Sequence, residues 1–179
     1  MNNSEKTLLI SGVFSSLLFF AISSLIGGRK LIKTIFILPD DGKLLFLTFA
    51  LGFFSALSLF LLYETSSKIR KYFPEEIFFI IRNTKLPVWL FVMTIASLSE
   101  EVLFRGALQQ HLGILFTNLI FGFMHYLAEE KFILMGFFAF IFGILISFVY
   151  KWTGVLAYPV VVHLSHNLFS TIFLRLKKN

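Results

Sequence analysis

The stretch SLSEEVLFRG, Ser97–Gly106, decides how the chain is read. Two adjacent glutamates, Glu100 and Glu101, are followed by Arg105, and the flanks are greasy: PVWLFVMTIA over 87–96 and GILFTNLIFGFMHYLA over 113–128. An ionised side chain at the centre of a membrane helix costs roughly 2.5–3.5 kcal/mol, and a neighbouring Val, Leu or Phe returns only about 0.3–0.6. Three such charges are tolerated at membrane depth only where they face protein or water and pair with one another. Glu101 and Arg105 stand at i and i+4 with the acid first, the favourable order for a helical ion pair. Glu100 is turned about 100° away from that pair. It lacks an obvious local partner, which makes it the chemical candidate of the two. The bland alternative places all three at a solvated helix end. Against it, VLFRGAL continues apolar past the acids.

Composition sets the class. Of 179 residues, 57% are hydrophobic, 25 are Phe and only 15% are charged, well below the quarter usual in soluble domains. The chain reads as a membrane protein, and its length fits one membrane domain, residues 1–179. The net charge of +6 then belongs to loops and lipid headgroups, not to nucleic acid. The absence of Cys excludes disulfides, thiolate metal sites and a cysteine nucleophile.

About 20 apolar residues make one helical crossing. Six segments qualify: Leu8–Ile26, Leu44–Tyr63, Pro87–Leu108, Gly113–Leu127, Phe132–Tyr150 and Gly154–Leu176. The alternating ten-residue segments of a membrane barrel are absent. The expected fold is all-α, a polytopic bundle of about six transmembrane helices, multi-pass in the cell membrane. The first apolar run exceeds a signal-peptide core and no A-x-A site follows, so it reads as a retained span. Between Glu64 and Leu86 the run KIRKYFPEEIFFIIRNTK reads as an interfacial helix before the third span, with a plain cytoplasmic loop as the alternative. Pro87 suits a helix start. Pro159, inside the last span, is expected to remove a hydrogen bond and bend that helix. Gly136 and Gly143 share a face where another helix can approach closely. Six spans put both termini on one side. Lys and Arg on that side number ten, against five opposite, which predicts cytoplasmic termini.

Further polar groups lie at membrane depth: His125 in FGFMH, and His163, His166 and Asn167 in VVHLSHNLF. A lone helical His is usually a hydrogen-bonded core residue. Several of them at the depth of a glutamate pair are harder to dismiss. At 1.5 Å per residue, Glu100 lies about 15 Å before a turn near His111, His125 about 20 Å after it, and His163 about 13 Å into the last helix. The third, fourth and sixth spans can therefore converge on one polar pocket, toward the non-cytoplasmic face.

These residues form three motifs: E-E-x-x-x-R at Glu100, Glu101 and Arg105; F-x-x-x-H at Phe121 and His125; H-x-x-x-N at His163 and Asn167. In this order, on successive membrane helices, they resemble the CPBP family of CAAX-prenyl endopeptidases, bacteriocin-processing and immunity proteins and related glutamic intramembrane proteases. The resemblance covers residues 89–169. It implies hydrolysis of a peptide bond, with Glu100 as general base on a water, His125 holding that water or sharing its proton, and His163 and Asn167 donating to the oxyanion. Glu101 and Arg105 would support Glu100. His166 lies outside the motif and is expected to be structural.

The resemblance implies no cofactor. The rival is a zinc enzyme using Glu100, His125 and His163, although no H-E-x-x-H is present. A second rival is a non-catalytic immunity or scaffold protein, or a proton or ion path. The implied partners are the lipid bilayer and a membrane-associated protein or peptide. With the pocket nearer the exoplasmic face, a precursor or C-terminal anchor is favoured, as in the myxosortase-like branch.

Overall fold

In the computed structural model, residues 1–35, 37–71, 73, 75–126 and 133–177 are described, apart from the side chains of residues 29, 30, 32, 33 and 75–77. Leu127, Lys131, Phe132 and Lys178, which enter the expected span limits and charge count, lie outside the described residues. Every element within them is a helix: α1 (Asn3–Ile35), α2 (Gly42–Thr65), α3 (Ser67–Lys71), α4 (Glu75–Asn83), α5 (Leu86–Glu101), a π-helical segment (Val102–Leu108), α6 (Gln109–Tyr126), α7 (Ile133–Thr153) and α8 (Ala157–Leu176).

The polarity is that of a bilayer protein. Large apolar side chains face outward, among them Leu25 at 86% exposure and Trp152 at 78%, while Glu101, Arg105, Asn118 and Ser147 are fully buried. Lipid gives lone polar groups no partner, so they turn inward.

Four helical runs among the described residues are long and apolar enough to cross a membrane: Asn3–Gly28, Gly42–Thr65, Leu86–Tyr126 and Ile133–Thr153. The difference from six has two causes. The third and fourth expected spans are limbs of one 41-residue run. A straight helix of that length would measure about 60 Å, twice a hydrocarbon core. It is not straight. Gly113 (φ 72°, ψ 177°) breaks it, and Arg105 reaches Asn118, thirteen residues on, at 3.1 Å; an unbroken helix would hold them about 20 Å apart. The positive φ needs glycine, which has no Cβ to clash. The last expected span is α8, 20 residues long, whose His163, Ser165, His166, Asn167, Ser170 and Thr171 dilute its apolar character.

Pro87 occupies the first turn of α5, as expected. Pro159 departs from expectation. The helix begins at Ala157, with its first bond from Val160 N–H to the Leu156 carbonyl. Pro159 therefore sits in the first turn, where its missing N–H costs nothing and no bend follows.

Packing brings α2 against α8, α6 against α7, and α1 against α5 and the π-helical segment. Phe53 meets Phe169 edge-on at 4.7 Å, and Phe60 stacks on Phe173 at 5.1 Å, along the α2–α8 seam. Gly136 and Gly143 do mark a close approach. A Cβ on Gly136 would stand 2.8 Å from the Gly122 carbonyl oxygen, and one on Gly143 would strike Asn118.

One end of the bundle gathers the N-terminus, the α2–α5 connection and the C-terminus. Glu5 accepts from Lys85 N–H at 2.9 Å, Arg82 donates to the Leu174 and Lys177 carbonyls, and Arg175 donates to the Thr84 carbonyl. At nine residues α4 is too short to cross a bilayer. It lies at this end with Phe79 and Ile80 exposed and Ile81 buried.

Candidate active site

The chain leaves α-helical geometry immediately after the two glutamates. From Val102 to Leu108 it winds as a π-helix, closed by Gln109 N–H bonding the Phe104 carbonyl five residues back. The wider turn keeps Val102 to Ala107 buried, with Arg105 in their midst. Such bulges recur at functional sites because they re-aim side chains that a regular helix would turn elsewhere.

Arg105 is the hub. Its guanidinium donates to Glu101 Oε1 (3.3 Å), Asn118 Oδ1 (3.1 Å) and the Gly143 carbonyl (2.9 Å). Nε also lies 3.2 Å from Glu101 Oε2. That contact is Coulombic only, because neither atom meets hydrogen-bond geometry there. Asn118 spends both amide hydrogens, on Ser147 Oγ and the Ile114 carbonyl, so its oxygen is aimed at Arg105. The expected Glu101–Arg105 pair thus exists, fully buried, inside a larger network.

Glu101 has a second partner that spacing did not suggest. His163 Nδ1 lies 2.7 Å from Glu101 Oε1. Glu101 is held as a carboxylate acceptor by Arg105, so Nδ1 carries the hydrogen. Nε2 then offers a lone pair when the ring is neutral and an N–H when it is protonated. It lies 3.8 Å from Glu100 Oε2, beyond hydrogen-bond range. One helical turn along each element, Asn167 Nδ2 donates to Ser97 Oγ at 2.9 Å. The two contacts, 101 with 163 and 97 with 167, tie α5 to α8 in antiparallel register.

Glu100 differs from its neighbour. Its side chain keeps 19% exposure, against none for Glu101. It opens on a cleft of about 210 Å³ between α1 and α5, lined also by Leu8, Ser11, Gly12, Ser15 and Ser16.

His125 stands one ring away. Its Nδ1 bonds the Phe121 carbonyl at 2.8 Å, and its ring lies 4.5 Å from the Phe121 ring, which in turn meets His163 edge-on at 6.3 Å. His166 is directed elsewhere. Its Nδ1 lies 2.7 Å from Ser55 Oγ, and Ser55 gives its own hydrogen to the Gly52 carbonyl, so His166 is the donor and ties α8 to α2. The structure therefore brings together Glu100, Glu101, Arg105, His163 and, through Ser97, Asn167.

The zinc arrangement of Glu100, His125 and His163 does not fit this placement. Among the described residues no three His, Asp or Glu side chains are gathered as ligands of one metal. Sequence reading passed over Asn118, Ser147 and Ser97. The signal for Asn118 was a polar residue within ILFTNLIF, uninformative about its partner until the chain was seen to fold back.

Residues 82–169 match the family described as Type II CAAX prenyl endopeptidase Rce1-like. The matched stretch contains every residue of the three motifs. The chain is also 30% identical, over 105 residues, to the Bacillus subtilis (strain 168) protein described as "Uncharacterized protein YpbD". The match covers 53% of this chain and 53% of that protein, so it spans about half the length of the curated relative. No solved structure matches the chain significantly.

Proposed function

We propose, because residues 82–169 match the family described as Type II CAAX prenyl endopeptidase Rce1-like, that the protein is an intramembrane endopeptidase. Its substrate is a membrane-associated protein precursor or C-terminal anchor, and Glu100 is its general base. The observation that carries this reading is the division between the glutamates. Glu101 is consumed by Arg105 and His163, while Glu100 lines the cleft between α1 and α5 and its Oε2 stands 3.8 Å from His163 Nε2.

Glu100 takes a proton from a water; the water oxygen bonds the scissile carbonyl carbon, and the carbonyl electron pair moves onto its oxygen. That oxyanion is stabilised by donors aimed at it, the term that usually matters most. Asn167 supplies an amide N–H beyond the one given to Ser97. His163 supplies Nε2–H when its ring is protonated, with Glu101 holding Nδ1–H and fixing the ring. Collapse expels the amine, and the proton on Glu100 passes to its nitrogen. His125 serves from α6 by sharing the proton of the water.

The test compares membrane proteins, by mass spectrometry, from strains carrying wild type and Glu100→Gln. Uncleaved precursors are expected to accumulate in the variant strain. Identical processing in both would overturn the assignment.

A further inference from the structure

His166 ties α8 to α2, and its ring has a second neighbour that reaches the site. His166 Nδ1 and Ser55 Oγ meet at 2.7 Å, and Ser55 is held in turn by the Gly52 carbonyl at 2.9 Å. The two helices are in backbone contact there: a Cβ on Gly52 would strike the Ser165 hydroxyl and the Val162 carbonyl oxygen. The imidazole pinned in this way lies 4.2 Å from the ring of Phe142, tilted by only 32°. Phe142 belongs to α7, and the same ring meets His163 at 5.6 Å and 81°.

His163 needs such a neighbour. Its Nδ1 is fixed by Glu101 at 2.7 Å, but one hydrogen bond fixes one atom. The terminal torsion of a His side chain is soft, so the ring can still swing about that bond and carry Nε2 away from Glu100, 3.8 Å distant. Edge-on ring contacts, which aromatic pairs favour, remove that freedom. Phe121 supplies one, at 6.3 Å and 85°, and Phe142 supplies the nearer one. The two are supported differently. Phe121 is braced by Phe104 at 4.9 Å and by the Arg105 guanidinium, 4.9 Å from its ring centre. Among the described residues, the ring contacts of Phe142 are His163 and His166, so the brace for Phe142 is the imidazole that Ser55 holds.

Resting on the protease reading above, in which His163 Nε2 serves the oxyanion, we infer that Phe142 and His166 are positioning residues for the reaction. Ser55 holds His166, His166 holds the Phe142 ring, and Phe142 holds the plane of His163, so that Nε2 keeps one direction. Both act through His163, and neither exchanges a proton. Neither belongs to the three motifs. The relay starts in α2 (Gly42–Thr65), outside the residues 82–169 that match the family, and gives that helix a part in the reaction geometry.

The test has two independent arms, both on the full chain in detergent. In the first, histidine labelled at its ring nitrogens reports the His163 Nδ1–H proton by NMR, assigned by its loss in His163→Gln. A ring held in one plane keeps that proton in its bond to Glu101, giving a sharp resonance that exchanges slowly with water. Phe142→Leu and His166→Asn are expected to broaden it and speed its exchange, while Phe142→Tyr and His166→Phe, which keep a ring, leave it sharp. An unchanged resonance in Phe142→Leu and His166→Asn overturns the inference whatever the substrate. In the kinetic arm, the purified enzyme is given the precursor that accumulates in the Glu100→Gln strain. Phe142→Leu and His166→Asn are each expected to lower kcat about tenfold, short of the roughly 10²-fold that losing an oxyanion donor outright costs. KM stays unchanged, because the oxyanion exists only beyond the ground state. Phe142→Tyr and His166→Phe retain most of the rate. Phe148→Leu, on the same helix at 56% exposure, leaves kcat at the wild-type value. An effect confined to KM, or His166→Phe as slow as His166→Asn, overturns the relay while the Glu100 reading stands. If no precursor accumulates, the protease reading fails, and the NMR arm still decides whether Phe142 and His166 hold the His163 ring.

Discussion

Glu100 and Glu101 are chemically identical neighbours with opposite surroundings, and their substitutions should separate accordingly. Glu101→Gln removes the charge facing Arg105 and weakens the hold on His163. Breaking one partner of a buried ion pair costs about 3–5 kcal/mol, so this variant should unfold at a clearly lower temperature in detergent and accumulate poorly. Glu100→Gln touches a partly exposed group with no hydrogen bond to Arg105. It should abolish cleavage while leaving the melting temperature near wild type. Equal thermal losses in the two would refute the division. Asn118→Leu tests the other side of Arg105. It strands one donor of the guanidinium and the Ser147 hydroxyl, each worth about 1–3 kcal/mol when left unsatisfied, and thermal unfolding reads the loss. Of these residues, Glu101 and Arg105 were legible as a pair because helical spacing alone brings i and i+4 together. Glu101 and His163 were legible only as residues at one depth, since a separation of 62 positions carries no geometry. Asn118 was not legible as a partner, because its role depends on where the chain reverses.

The elements show the same split between local and non-local information. Hydropathy located the apolar runs, and Pro87 marked a true helix start because that preference is set by its own backbone. The expected turn near His111 lies at Gly113, two residues on, where a positive φ can be adopted. The π-helix left no trace in the sequence, because a wider turn over seven residues alters hydrophobic periodicity too little to see. Gly136 and Gly143 were readable as a close-packing face, and the structure adds what they approach. Gly143 is the sharper case, since its carbonyl receives Arg105 and a Cβ there would strike Asn118 and crowd Phe121. Gly143→Ala should push α7 away from α6 and disturb both contacts. Overpacking of this kind typically costs about 1–3 kcal/mol. A melting temperature equal to wild type would show that the helices can separate freely there.

Across the whole molecule, the N-terminus, the α2–α5 connection and the C-terminus meet at one end through Glu5, Arg82 and Arg175. That end carries the larger share of Lys and Arg, which predicts that it faces the cytoplasm. A reporter fused after Asn179 should be active only in cytoplasmic form. Activity on the opposite face would turn the bundle over and bring Glu100 nearer the cytosol. The distribution of the site along the chain also has a consequence in time. Ribosomes add roughly 5–20 residues per second, so Glu101 precedes His163, 62 positions later, by about 3–12 seconds. Throughout that interval the nascent chain must shelter a carboxylate in or near lipid without the histidine that will later hold it. Arg105, four residues away, is the only member of the network synthesised soon enough to neutralise it. The ion pair is thus an early chaperone for its own helix, and the charges that end as a scaffold begin as a means of insertion.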